Sequence, residues 1–295
     1  MKFDVPVRIR WDADPPRGLL DEKFGFKKAE SVFRSILEAS PLSLDITVMS
    51  PEFLSRLLDL IETADAPVSV SLYLSEEIVH VRGAETGGHA GPDRVFFHGK
   101  NCGVVAEERF WFEPDPLDYG ETFELIDAFL RSPGRALVLK NPNYRKSELP
   151  AEIPVPDFEA LKNSVDGDGW RFGDDKKLVV HDYFLWKFFR DTFQGFSDER
   201  AEFDGCQGGS TLAYVDWEGV VYPCESLLVP LGALPGDTIS DIWASTERLA
   251  ISDRIRGLPP DCVDCGELQG CFGGCRGLSH HIRGRLDLPD PQCDR

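Results

Sequence analysis

The sequence predicts an α/β fold with a mostly parallel sheet, arranged as a complete or partial βα barrel and followed by a small cysteine-rich domain. Three observations predict it. Short apolar runs, often β-branched, alternate with amphipathic helical stretches over the first two hundred of 295 residues, as buried parallel strands alternate with crossover helices. Near residue 200 this texture gives way to a hairpin pattern and then to glycines and cysteines. Seven of the eight cysteines lie between Cys206 and Cys293. The predicted domains are 1–200 and 201–295.

The strand candidates are Pro6–Trp11, Leu42–Val48, Val68–Leu74, Arg94–His98, Ala136–Lys140 and Lys177–Val180. Helices are predicted over Lys27–Ala39, Pro51–Thr63, Glu121–Arg131, Pro156–Asn163 and Asp182–Gln194. The second is the best signalled, with Ser50 as N-cap, Pro51 at the first helical position and Leu54, Leu57, Leu58 and Ile61 on one face. Gly83–Pro92, Pro114–Pro116 and Asn141–Pro156 read as connections. Thr211–Trp217 and Val220–Tyr222 flank Glu218-Gly219 as a short hairpin. Ser240–Arg256 reads as one amphipathic helix with Ile242, Trp243, Leu249, Ile251 and Ile255 toward the core. The residues after it include few large apolar side chains, so metal centres are expected to hold that segment.

A formal charge of −19 repels phosphate backbones and anionic lipids, which excludes nucleic acid and membrane as expected partners. It suits a soluble surface, or steering toward a basic partner such as a peptide, a small chaperone or a redox protein. No run of eighteen apolar residues is present. Met1-Lys2-Phe3-Asp4-Val5-Pro6 lacks a secretory h-region. A cytoplasmic location is expected, and there clustered cysteines read as metal ligands rather than disulfides.

The cysteine pattern is Cys206-x12-Gly219-x4-Cys224, then Cys262-x2-Cys265-x5-Cys271-x3-Cys275, then Cys293. Closely spaced thiolates on a loop reach several irons of one cubane while backbone N–H groups point at the sulfides. Gly270, Gly273 and Gly274 permit the tight backbone this needs. Zinc is the competitor, but its ribbons pair two Cys-x2-Cys units and this chain has one.

Other residues have a plainer reading beside a functional one. Cys102 is either a further cluster ligand or, as lone cysteines usually are, a partly buried small residue. His280-His281 is either a cluster-tuning pair or a solvated one. Asp12 and Asp14 fall at the end of the first strand, where a barrel places its active site, yet acidic loops are common in so acidic a chain. The aromatic run Tyr183, Phe184, Trp186, Phe188 and Phe189 reads as a helix packed on the sheet rather than a peptide-binding surface.

The seven-cysteine pattern, with Gly219 ahead of Cys224, resembles the SPASM signature of radical SAM peptide-modifying enzymes. Asp216-Trp217-Glu218-Gly219-Val220-Val221-Tyr222-Pro223-Cys224, Gly273-Gly274-Cys275-Arg276 and Asp290-Pro291-Gln292-Cys293 look like the same family. The resemblance implies two auxiliary clusters, both expected to be [4Fe–4S]. Cys262, Cys265, Cys271 and Cys293 would ligate one; Cys206, Cys224 and Cys275 would hold the other, its fourth position open or filled from outside the motif. The family's three-cysteine SAM motif has no counterpart, because Asp12–Leu20 contains no cysteine and none precedes Cys102. Leu44–Pro51 resembles the strand that ends in the family's amine-binding Gly-Gly-Glu-Pro, with Val48, Met49 and Ser50 replacing the first three residues. The front half therefore resembles a degenerate radical-SAM-like barrel, with no S-adenosylmethionine expected.

Within the family the likeness is to the SPASM domain protein of the GeoRSP system. It implies a non-catalytic partner that relays electrons or presents substrate to a radical SAM/SPASM enzyme in ribosomal-peptide modification, alongside a small peptide chaperone and a precursor peptide. The alternatives are a structural adaptor whose clusters only stabilise the fold, and an enzyme that uses the open iron of the three-cysteine cluster.

Overall fold

The structure, a computed structural model, describes residues 4–14, 22–64, 67–78, 94–98, 100, 109–115, 117–141, 157, 159–160, 173, 175–192 and 206–293. Its strands, in chain order, are β1 (Arg8–Asp12), β2 (Ser43–Val48), β3 (Ser69–Leu74), β4 (Arg94–His98), β5 (Arg109–Phe112), β6 (Ala136–Leu139), β7 (Lys177–Val180), β8 (Leu212–Val215), β9 (Val220–Tyr222) and β10 (Gly232–Ala233). The helices are α1 (Glu22–Glu38), α2 (Pro51–Thr63), α3 (Gly120–Arg131), α4 (Tyr183–Thr192), α5 (Ile239–Ala244), α6 (Thr246–Arg256), α7 (Leu268–Cys271) and α8 (Arg276–Arg283). They fall into two units, Met1–Phe97 with Gln207–Asp253 and His98–Cys206 with Arg254–Arg295. Each unit draws residues from both sides of residue 200.

In the first unit β1 is central, paired in parallel with β2 on one side and β8 on the other. Parallel β3 and β4 continue the sheet beyond β2, and β9 and β10 add antiparallel strands beyond β8. The two faces of β1 differ. Ile9 and Trp11 are buried with Val32, Phe33 and Ile36 of α1, and Trp11 stacks on Phe33 at 6.0 Å. The alternate residues carry charge: Arg8 donates to Asp45 (2.6 Å), Arg10 is paired with Glu225, and Asp12 accepts from the Tyr214 hydroxyl (2.7 Å). Charges that leave water need such partners.

Helix α2 spans the predicted residues, with Ser50 accepting from Phe53 N (3.3 Å). Its buried face is Phe53, Leu54, Leu57, Leu60 and Ile61; Leu58, placed on that face by the sequence, is only half-buried. Gly219 turns the predicted hairpin at φ +81, and a Cβ there would lie 2.6 Å from the Leu234 carbonyl. Strand β8 of this hairpin is built into the sheet against β1.

The single helix expected over Ser240–Arg256 is two. Ser245 adopts extended backbone (φ −63, ψ 149), its N–H closes α5 on Ile242 O (3.2 Å), and its hydroxyl accepts from Arg248 N (3.2 Å). One serine thus ends one helix and caps the next. Ile242, Trp243 and Ile255 are buried as expected, but Leu249 and Ile251 are half-buried. Arg248 and Ser252 are buried instead; Arg248 donates to the Trp243 carbonyl and lies over the Trp243 ring.

In the second unit β5, β6 and β7 form a parallel sheet. Strand β5, Arg-Phe-Trp-Phe, was not anticipated. Lys176 closes the end of α3 by donating to the carbonyls of Phe129 (3.3 Å), Ser132 (2.7 Å) and Gly134 (2.5 Å). The aromatic run of α4 is core: Phe188 and Phe189 pack on Phe123 of α3 at 5.4 and 6.0 Å, and Tyr183 and Trp186 are buried. Cys102, Gly83–Pro92, Pro15–Leu20 and most of Asn141–Pro156 and Pro156–Asn163 lie outside the described residues. Among the described residues no helix is long and apolar enough to cross a membrane.

Candidate metal centre

The segment Cys262–Cys275 folds by consecutive tight turns. Cys262 N bonds to Pro259 O (2.9 Å), Cys265 N to Cys262 O (3.1 Å) and Leu268 N to Cys265 O (3.2 Å). Helix α7 then stops at Phe272, which is left-handed (φ 51), followed by Gly273 (φ 85) and Gly274 (φ 73). The reversal brings Cys275 to the N-cap of α8, where its sulfur accepts from Leu278 N at 3.3 Å. Two residues past Cys271, the Gly273 N–H points back at the Cys271 sulfur, also at 3.3 Å. Amides aimed at cysteine sulfur stabilise its anionic form.

Cys262, Cys265, Cys271 and Cys293 all line one cavity of about 430 Å³, whose wall is completed in part by Tyr183 and Phe188 of α4. Their mutual approach has an electrostatic cost. Burial pushes the Cys262 thiol up, and the charges of Cys271 and Cys293 push it further. Burial also raises Cys271, against the lowering effect of the Gly273 N–H, with Cys265 and Cys293 adding to the rise. Thiols so placed are held in their neutral form when the cavity is without a cation, and a bound cation would favour the thiolates.

Asp290 ties the tail to this loop. One carboxylate oxygen accepts from Cys275 N (2.7 Å), the other from Gln292 N (2.9 Å). Gln292 in turn donates to the Tyr119 hydroxyl (2.7 Å), and Tyr183 donates to Glu267 (3.0 Å). Burial and the nearby Asp182 charge push Asp290 up to about 7. A Cβ on Gly274 would lie 2.4 Å from that of Asp290, so the contact requires glycine. Sequence reasoning gave Asp290, Arg276 and Glu267 no role. The available signal was their place beside cysteines in a segment with little apolar surface.

Of the other set, Cys224 is buried in the first unit, on the turn after β9, with its carbonyl accepting from Leu227 N (3.2 Å). Gly208 packs beside it; a Cβ there would meet the Cys224 sulfur at 3.4 Å. Cys206 and Cys275 belong to the second unit and are half-buried. Asp14 is structural: its carboxylate accepts from Met49 N (2.8 Å) and Ser50 N (2.7 Å), at the start of α2, and burial pushes it up to about 6. His280 is half-buried in α8 and lowered by burial and then by His281, which is exposed. Among the described residues no group of three or more His, Cys, Asp or Glu side chains stands close enough to hold a single metal ion.

Residues 206–266 match the SPASM family, an iron–sulfur cluster-binding domain. The SPASM match includes Cys206, Cys224, Cys262 and Cys265; Cys271, Cys275 and Cys293 lie beyond it. Native anSMEcpe with bound AdoMet is a structural relative at TM-score 0.50 and 11% identity, covering 97% of this chain and 93% of that one. Native anSMEcpe with bound AdoMet and Cp18Cys peptide gives TM-score 0.50 and 10% identity, covering 98% and 94%. Streptococcus suis SuiB bound to S-adenosylmethionine gives TM-score 0.47 and 13% identity, covering 99% and 78%. The two matches at 0.50 show a shared radical SAM-like α/β fold with a parallel sheet, over nearly the whole of this chain.

Proposed function

We propose that this chain is an iron–sulfur protein that acts as a non-catalytic electron relay, or substrate-presenting partner, for a radical SAM enzyme in ribosomal-peptide modification. The observation that carries the reading is the cavity walled by Cys262, Cys265, Cys271 and Cys293 in a chain with a SPASM match. These four would hold a [4Fe–4S] cluster, and the family resemblance gives Cys206, Cys224 and Cys275 to a second. The donor set fits: thiols spread around a cavity suit a polynuclear cluster, whereas one zinc ion draws four sulfurs to about 2.3 Å from a single point. One-electron transfer is the chemistry such a cluster supplies when bound. The chain's own part is to hold the thiolates, aim the Gly273 and Leu278 N–H groups at sulfur, and shield the site with α4.

Two further features support a partner rather than a SAM enzyme. The structures matched at TM-score 0.50 hold AdoMet, but the segment after β1 here has no cysteine. Where the family's Gly-Gly-Glu-Pro would bind the SAM amine, Val48, Met49 and Ser50 stand in place of the two glycines and the glutamate, so that carboxylate acceptor is missing. The GeoRSP likeness names the class of partners: a radical SAM/SPASM protein, a small peptide chaperone and a precursor peptide.

The test is iron, sulfide and zinc content of anaerobically purified protein, with its visible spectrum. About eight irons and eight sulfides and a broad band near roughly 400 nm are expected for two [4Fe–4S] clusters. A colourless protein with stoichiometric zinc after anaerobic reconstitution overturns the cluster reading. Turnover of S-adenosylmethionine by the isolated protein overturns the non-catalytic one.

A further inference from the structure

Arg276 is among the largest fully buried side chains of the molecule, with 1% of its surface exposed. Its guanidinium donates to three backbone carbonyls: Gly257 (3.2 Å), Phe272 (3.1 Å) and Leu288 (3.1 Å). The Nε is buried with no hydrogen-bond partner among the described residues. The turn after Cys271 is moulded around this group. A Cβ on Gly273 would stand 2.6 Å from an Arg276 terminal nitrogen, and the same glycine's N–H points at the Cys271 sulfur.

A guanidinium moved from water into this interior loses its hydration, and a facing anion is what offsets that loss. Carbonyls are dipoles and supply no net charge. The Asp290 carboxylate is near enough to attract it, but both its oxygens are engaged by Cys275 N and Gln292 N. The other groups placed to attract Arg276, once ionised, are the sulfurs of Cys206, Cys262 and Cys271. With neutral thiols the cation is poorly compensated; with thiolates on a cluster it is matched.

We propose that Arg276 is the fixed counter-charge of the iron–sulfur site, a positioning residue that raises the reduction potential of the cluster held by Cys262, Cys265, Cys271 and Cys293. The inference rests on the cluster reading above. A [4Fe–4S]2+ core with four thiolates is a dianion, and one added electron makes it a trianion. A buried cation favours the trianion more than the dianion, so reduction becomes easier in its presence.

The experiment compares wild type, Arg276→Lys and Arg276→Gln, each loaded anaerobically, by iron content and by a mediated redox titration followed by electron paramagnetic resonance. Dithionite is the electron donor and is oxidised to sulfite. Arg276→Lys keeps the charge and loses the planar fork; Arg276→Gln loses the charge. The expected result is a lower midpoint potential in Arg276→Gln, with Arg276→Lys close to wild type. Cluster loss in Arg276→Gln with retention in Arg276→Lys supports the same conclusion. Full iron with an unmoved potential in Arg276→Gln overturns it. So does an equal fall, or equal cluster loss, in both variants, which marks a role of shape rather than charge. A wild type without iron sinks the cluster reading itself, whereas iron-loaded wild type with indifferent variants sinks only this inference.

Discussion

The sheet of the first unit and the Cys262–Cys293 segment of the second are ordered by opposite means. In the sheet, Ile9, Leu44, Ile46 and Leu72 have no exposed surface, and burial of such side chains is spread over many neighbours. In the cysteine segment the buried aliphatic side chains are Leu278, Leu286 and the rings of Pro289 and Pro291. Its order comes from polar groups that each gather several backbone atoms: Arg276 takes three carbonyls, Asp290 two N–H groups, and the Ser279 hydroxyl lies against the carbonyls of Arg285 (3.1 Å) and Leu288 (3.2 Å). An apolar core degrades gradually when trimmed. A polar framework fails at single atoms, because each lost partner strands others.

That contrast can be broken from either side. Trp11→Ala removes the largest side chain of β1 and is expected to cost about 3–5 kcal/mol in chemical denaturation, with cooperative unfolding retained. Multiphasic unfolding would show that the sheet, too, depends on single contacts. Gly274→Ala adds one methyl group, yet it forces a side chain onto φ +73 and into the Asp290 contact. A loss of roughly 2–4 kcal/mol is expected, with iron released in proportion. Melting and iron content equal to wild type would give the loop a slack that its hydrogen bonds deny.

A pH-dependent effect is expected from Asp14, a polar clasp of the first unit. Burial lifts it from 3.8 to about 6. Between these values the folded chain keeps a proton that the unfolded chain has released. The group's contribution is therefore complete below about pH 4 and lost as pH rises through 6. Relative to Asp14→Asn, wild-type stability should fall by about 3 kcal/mol across that window and run parallel above it. Parallel curves throughout would mean that the Met49 and Ser50 N–H groups fully offset burial.

The same contrast explains what the sequence revealed. Lys177–Val180 and Pro51–Thr63 were legible end to end, because apolar periodicity and caps lie in the residues themselves. Strand β5 was not, since Arg109–Phe112 follows two glutamates and has none of the β-branched residues that mark Lys177–Val180. The break at Ser245 was hidden because a hydroxyl interrupts the helix without interrupting its apolar rhythm. The spacing of Cys262, Cys265 and Cys271 announced a shared site, and the structure sets them with Cys293 around one cavity. The groups that hold that loop, Arg276 and Asp290, bond to backbone atoms far along the chain, and such bonds leave no periodic trace.

Lys176 gives the scaffold a signal of its own. With its ammonium locked against three carbonyls and 9% of the residue exposed, the amine is shielded from acylating reagents while the end of α3 stays closed. Its acylation therefore reports opening of the α/β framework, whereas loss of colour reports loss of iron. The two clocks, read on one iron-loaded sample, separate a protein that has lost iron from one that has come apart.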